Sequence, residues 1–264
     1  MNAKNTQQNP LPKQLAEKIG GYDWQENFVG CSTSKVFRLK SLNQNTLYLK
    51  TVRRTPFDSI LPEKSRLDWL GNKLPVPEVI MFAENEDTEF LLLSEISGVD
   101  ASDVSLKNNI ARTIKQLAAG LKMIQAVPVA DCPFDARLDY KIELSEARVK
   151  NKLVNESDFD EQRKGRTAED LFDELIKTKP FSEDLVFTHG DFCLPNIIFK
   201  NGKLNGFIDL ANAGVADKYQ DIALLARSVA SNFGAKWTQD LFDAIGIEPD
   251  LPKIYFYTLL DEFF

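Results

Sequence analysis

The sequence predicts an α+β protein of two lobes, a small strand-rich N-terminal lobe with one helix and a larger, mainly helical C-terminal lobe. Three observations lead there. Residues 46–52 alternate with the period of a half-buried strand, Leu47, Leu49 and Thr51 on one face and Tyr48, Lys50 and Val52 on the other. The chain then changes character at Ser94–Gly98. Beyond that point Ile110, Ile114, Leu117, Leu121 and Ile124 recur at helical spacing. The lobes are accordingly placed at 1–96 and 97–264, with a hinge at about 94–98.

In the first lobe, Phe28–Val29 and Val36–Lys40 read as strands around a polar turn, Gly30-Cys31-Ser32-Thr33-Ser34-Lys35. Asn43–Asn45 suits a hairpin loop into Thr46–Val52. Pro62 opens a helix, where its missing N–H costs nothing. Glu63 lies in its first turn, and Leu67 and Leu70 lie on one side. After Pro75-Val76-Pro77, strands at about Glu78–Phe82 and Glu89–Glu95 complete a sheet of about five. The second lobe begins with a helix over Leu106–Ala126, ended by Pro128 and Pro133. Helices follow around Tyr140–Val154 and Ala168–Ile176, separated by the polar stretch Asn155–Gly165. Leu185–Thr188 is a strand. Ile197–Lys200 and Leu204–Asp209 flank Asn201-Gly202, a two-residue hairpin signal. Helical segments at Lys218–Phe233, Thr238–Ile245 and Asp250–Phe264 close the chain.

Composition narrows the function classes. The chain has 264 residues, with 32 Lys plus Arg against 39 Asp plus Glu and a net charge of −7. That excess argues against a nucleic-acid surface, which needs clustered cations, and leaves cationic partners open. A single histidine, His189, excludes a multi-histidine metal site. The three cysteines, Cys31, Cys132 and Cys193, form no CxxC pair, which excludes a disulfide framework and fits a reducing compartment. The first twenty residues are polar and lack a signal-peptide core. Apolar runs such as Phe90–Leu93 fall far short of the roughly 18–20 residues that span a bilayer. A cytoplasmic protein without membrane partners is expected.

The chemistry concentrates in His189-Gly190-Asp191-Phe192-Cys193-Leu194-Pro195-Asn196, followed by Asp209. Asp191 and Asn196 stand five apart on a loop between strands, and Asp209 closes the next hairpin. Magnesium takes oxygen ligands, few of them from protein when phosphates supply the rest. Asn196 and Asp209 can therefore hold the metal while Asp191 orients, or takes a proton from, a hydroxyl nucleophile. This is the spacing of kinase-type phosphoryl transfer. Lys50 projects from the same strand face as Tyr48, an ammonium for phosphates beside an aromatic surface for a base. Glu63 is its natural ion-pair partner. The 30–35 turn is no Walker A loop, but its N–H groups and the hydroxyls of Ser32 and Ser34 can cover phosphates.

The whole chain resembles the aminoglycoside 3'-phosphotransferases, antibiotic-resistance kinases with a protein-kinase-like fold. The residues that carry the likeness are Leu47–Lys50, Lys73–Pro77, His189–Asn196, Gly206–Leu210, Ala216–Leu224 and the terminal Leu259-Leu260-Asp261-Glu262-Phe263-Phe264. The resemblance implies ATP and Mg²⁺ as cofactors and the 3'-hydroxyl of a kanamycin- or neomycin-type aminoglycoside as acceptor. Lys50, steadied by Glu63, would contact the α- and β-phosphates. Tyr48 would stack on adenine, and the linker Ser94-Glu95-Ile96 would hydrogen-bond it through the backbone. Asp191 would be the catalytic aspartate, with Asn196 and Asp209 on the metal. The family's substrate-binding groups map onto Asp158, Asp160, Glu161, Arg227, Asp261, Glu262 and the Phe264 carboxylate. Consistent with this, 155–161 holds four acids and no base, suited to an ammonium-rich substrate. The sequence departs from the family where Ala211-Asn212 replaces Gly-Arg and Ser231 replaces an acid.

Blander readings stand beside these. His189 is expected to hold its loop rather than move protons, and Cys193 to be a packed thiol. Asp217 and Asp221 are expected to cap and anchor. A monomer or weak dimer is expected. Two other functions remain open on the same fold: a kinase for another small hydroxylated cation or antibiotic class, and a pseudokinase that binds nucleotide or drug without turnover.

Overall fold

The computed structural model describes residues 11–27 and 34–264. The chain divides into two units, one running to Ser97 and taking back Gly206–Ala211, the other comprising Gly98–Asn205 and Asn212–Phe264.

The first unit is built on an antiparallel sheet of β1 (Asp23–Asn27), β2 (Lys35–Lys40), β3 (Leu47–Arg53), β4 (Val79–Glu84) and β5 (Thr88–Ser94), in the order β1-β2-β3-β5-β4. The expected alternation in β3 holds. Leu47 and Leu49 join Leu39, Phe90 and Leu92 in a core closed by Leu15 and Ile19 of the helix α1 (Lys13–Lys18) and its C-terminal flank. Tyr48 and Lys50 face the other way, with Lys50 opposite Val36 on β2 and Leu91 on β5.

The helix α2 (Leu61–Leu70) starts one residue before the expected Pro62, which lies in its first turn, and no side chain of its own caps it. Instead the buried Glu89 of β5 accepts from Ile60 N (2.8 Å) and Ser59 Oγ (2.9 Å), a cap lent by the sheet. Two elements differ from expectation. The six-residue α1 buries Leu15 alone and is too short to show a helical period. The first strand is β1, a polar run without apolar alternation. Phe28–Val29 and the turn through Thr33, including Ser32, lie outside the described residues.

The second unit is mainly helical. Two short strands, β6 (Val99–Asp100) and β7 (Leu185–Thr188), were respectively unforeseen and expected. The helices are α3 (Ile110–Gln125), α4 (Leu138–Lys150), α5 (Ala168–Thr178), α6 (Tyr219–Phe233), α7 (Thr238–Ile245) and α8 (Leu251–Asp261). Asn109, Thr167 and Asp250 cap α3, α5 and α8 by accepting from the backbone N–H three residues on. The Asn201-Gly202 turn joins β8 (Ile197–Lys200) to β9 (Lys203–Phe207), which ends two residues before the expected Asp209. A last strand, β10 (Gly214–Asp217), pairs antiparallel with β7. The helix α6 packs against α8 and is buried along most of its length, so its residues reach the β7 loop from beneath. Among the described residues no helix is long and apolar enough to cross a membrane.

Candidate active site

In the first unit the sheet and the helix converge on Lys50. Its Nζ donates to Glu63 Oε1 (2.6 Å) and Oε2 (2.9 Å) and to Asp209 Oδ1. The lysine side chain is only 12% exposed and Glu63 6%, whereas Asp209 is 46% exposed. Burial opposes the ammonium, but the two carboxylates outweigh it and hold the Lys50 pKa above its ordinary value. Lys50 therefore remains a cation. Burial, opposed by Lys50 and reinforced by Asp209, leaves Glu63 the more easily protonated of its kind.

Asp209 reaches Lys50 because 206–211 crosses back into this unit, where Phe207 N donates to Pro75 O (2.9 Å). The approach is so close that a Cβ on Gly206 would stand 2.6 Å from Pro75 O and 2.9 Å from Ile96 Cγ2. Asp209 itself adopts a left-handed backbone (φ +62°), which is uncommon for a non-glycine residue. Tyr48 is half-buried, and burial raises its hydroxyl pKa. Ser94 is tied to the start of β4, its N–H donating to Glu78 O and its Oγ accepting from Glu78 N. Arg38 pairs with Glu95 of the linker at 2.6 Å.

In the second unit the loop after β7 is strapped down by its backbone. His189 N and Gly190 N donate to the two oxygens of Asp221, at 2.7 and 2.9 Å. Asp221 is fully buried, and burial pushes its carboxyl up to about 7 against the pull of those two N–H groups. Gly190 is left-handed (φ +84°), and a Cβ there would meet Asn212 O at 2.2 Å. The buried His189 accepts from Asp191 N through Nδ1 (3.3 Å) and packs edge-on to Phe192, the holding role expected of it.

Asn196 Nδ2 donates to Asp191 Oδ2 (2.8 Å) and to Asp191 O (3.0 Å), so the two residues five apart do meet. Leu194 N donates to Ser228 Oγ of α6, a support that sequence spacing did not reveal. Burial first, then Asp191, raises the Cys193 thiol pKa, which agrees with a packed, unreactive thiol. Asp217 accepts from Tyr219 N (2.8 Å) and Asp184 N (3.2 Å) and pairs with Lys253, the capping and anchoring role expected of it.

Of the expected substrate residues, the second unit assembles Asp160, Arg227, Asp261 and Glu262. Arg227 pairs with Asp261 and lies 4.0 Å from Glu262 Oε1, and Glu262 Oε2 accepts from Asp160 N at 3.2 Å. Burial raises the Asp261 pKa; Arg227 opposes this and the charge of Asp191 adds to it. Burial together with Asp160 pushes Glu262 up to about 7, opposed by Asp160 N–H and Arg163.

Arg163 was missed. It stands three residues after Asp160, just past the base-free stretch, and donates to both Asp160 Oδ2 and Glu262 Oε1. The pattern of a base three positions after an acid was the available signal. Asp158 and Glu161 are not drawn in: Asp158 accepts from Asn155 Nδ2 in its own turn, and Glu161, 87% exposed, pairs with Lys164. The Phe264 ring lies under Lys141 Nζ (4.3 Å), a buried lysine of α4 that sequence reading also passed over.

The family model described as the phosphotransferase enzyme family, APH, matches residues 25–257. The chain belongs to that family. The phosphotransferase is 35% identical to the aminoglycoside 3'-phosphotransferase of Niallia circulans, over 96% of its own length and 97% of the relative's. It is also similar to the crystal structure of an aminoglycoside-3'-phosphotransferase of type VIII, with a TM-score of 0.84 and 29% identity over 95% of this chain and 97% of that one. Aminoglycoside phosphotransferase APH(3'') of Streptomyces rimosus, solved in complex with ADP and streptomycin, follows at a TM-score of 0.80 and 25% identity, covering 94% and 95%. The aminoglycoside 3'-phosphotransferase resemblance and the α+β, kinase-like fold class expected from the sequence are thereby borne out. Lys50, Glu63, Asp191, Asn196 and Asp209 are all present in this enzyme.

Proposed function

We propose that this phosphotransferase moves the γ-phosphoryl group of ATP to the 3'-hydroxyl of aminoglycosides of the kanamycin and neomycin type, and so confers resistance to them from the cytoplasm. The observation that carries the reading is Asp191, whose carboxylate is held by Asn196 on a loop strapped to the buried Asp221. A carboxylate so fixed is prepared to orient a hydroxyl and accept its proton, which is the main task left to protein in phosphoryl transfer.

Lys50, kept charged by Glu63 and Asp209, is assigned to the nucleotide phosphates, and Tyr48, Ser94 and Ile96 to the base. Ser32 is retained for phosphate cover. Asn196 and Asp209 are assigned to magnesium, and the chemistry of each suits it: Asp209 offers a half-exposed carboxylate, and Asn196, with Nδ2 spent on Asp191, keeps Oδ1 as an acceptor. A bound ion would neutralise phosphate charge. Asp160, Asp261 and Glu262 are assigned to substrate ammonium groups, with Arg227 orienting Asp261. These three acids, gathered from two distant stretches of chain, support a cationic acceptor over a neutral one.

An assay that couples ADP release to a chromophore tests the reading. Kanamycin should stimulate turnover in the wild type, and Asp191→Ala should lower kcat by roughly a hundredfold or more. No stimulation by any aminoglycoside, or near-normal turnover in that variant, contradicts it.

A further inference from the structure

Arg163 is almost fully buried, its side chain 4% exposed, yet it belongs to none of the phosphoryl-transfer groups. Its NH1 donates to Asp160 Oδ2 and, at 3.0 Å, to Glu262 Oε1, while NH2 donates to Thr258 Oγ1 of α8 at 3.3 Å. The guanidinium also lies over the Tyr255 ring at 5.5 Å from its centroid. Asp160 is 29% exposed, so the arginine holds it from the protein side and leaves its outer face to solvent. A planar guanidinium suits such bridging better than an ammonium does, since its geometry is fixed.

We infer that Arg163 is a positioning residue for substrate: from beneath the cluster it holds Asp160 and Glu262 in place, aimed at the ammonium groups of the acceptor. The inference rests on the aminoglycoside reading above and names a residue on which that reading depends. The physical reason is the closeness of the two acids. Arg163 NH1 bonds Asp160 Oδ2 and Glu262 Oε1 together, and Asp160 N donates to Glu262 Oε2, so the two acids lie against one guanidinium, with Glu262 only 5% exposed. Without that cation Glu262 is left to burial and the charge of Asp160, both of which favour its protonated form and so remove a charge that attracts substrate. The other groups facing Glu262 do not substitute for Arg163. Arg227 is committed to Asp261 and stands 4.0 Å from Glu262, and Thr258 is neutral. Among the described residues Arg163 Nε is buried and has no hydrogen-bond partner. The guanidinium is thus placed for the two carboxylates rather than for its own full satisfaction.

The test uses Arg163→Gln and Arg163→Lys in the full-length enzyme, with kanamycin as probe and KM and kcat followed from pH 6 to 9. Arg163→Gln should raise the kanamycin KM about tenfold or more with kcat within about threefold and the ATP KM unchanged. The ratio of variant to wild-type KM should grow as pH falls, because Glu262 without the arginine takes up its proton at a higher pH than in the wild type; taking the ratio cancels ionisation of the drug. Arg163→Lys keeps the charge but loses the fork, and should fall between the two. It also keeps the test open if Arg163→Gln does not fold. A kanamycin KM equal to wild type in either folded variant, or a KM ratio flat with pH, overturns the inference. A wild-type enzyme inactive on every aminoglycoside overturns the reading beneath it instead.

Discussion

The Lys50 site of the first unit and the Arg163–Arg227 cluster of the second use the same charges in opposite ways. At Lys50 one cation sits between two carboxylates, sealed by sheet and helix, and the half-exposed Asp209 is the open side. In the second unit two arginines lie among Asp160, Asp261 and Glu262, which end loops and helices rather than strands. Each site holds one more carboxylate than cation. The difference lies in which charge is fixed by regular structure. Lys50 is held in a strand register between Val36 and Leu91, whereas Asp160, Asp261 and Glu262 stand in a turn and at the end of a helix and are set by arginines.

Breaking the first site should have the largest effect. Lys50→Met should reduce kcat roughly a hundredfold or more and weaken nucleotide binding, while kanamycin affinity by calorimetry stays within about threefold. If drug binding collapses and nucleotide binding survives, the two sites have been assigned the wrong way round.

The second site should respond with a graded loss. Glu262→Gln should weaken kanamycin binding by about tenfold, and the loss should shrink as salt is raised. Glu161→Gln, at an exposed ion pair outside the cluster, should change affinity less than about twofold. Equal losses in both variants would mean that the whole acidic stretch, rather than the gathered acids, receives the drug.

A smaller effect should appear in stability. Asp221 has a folded pKa raised from 3.8 to about 7, so its contribution is fully present below about pH 4 and is lost as pH rises through about 7. Asp221→Asn cannot ionise, and its denaturation midpoint should fall less between pH 4 and pH 7 than that of the wild type. Identical slopes in the two proteins would show that the burial of Asp221 is relieved in solution.

Much of this was legible in the chain because short-range pattern carried it. Lys50 and Tyr48 declared their shared face by alternation, Pro62 in the first turn of α2 placed Glu63, and the Asn201-Gly202 turn located the hairpin before Asp209. The Asp191–Asn196 contact followed from a spacing of five on one loop. What stayed hidden depended on distant pairing. Glu89 caps α2 from across the sheet, Ser228 supports Leu194 from another helix, and Arg163 meets Glu262 across 99 residues. Asp158 and Glu161 looked equivalent to Asp160 in sequence. Only the turn, which places Asp160 against Arg163 and Glu262, separates them.

Transfer to a 3'-hydroxyl is tested by comparing two drugs that differ there. ADP release should be stimulated by kanamycin, with phosphate found on the 3'-oxygen by phosphorus–proton correlation of the product, and tobramycin, which lacks that hydroxyl, should give no stimulation above the drug-free rate. Turnover with tobramycin comparable to that with kanamycin, or phosphate at any other oxygen of the kanamycin product, would contradict the account.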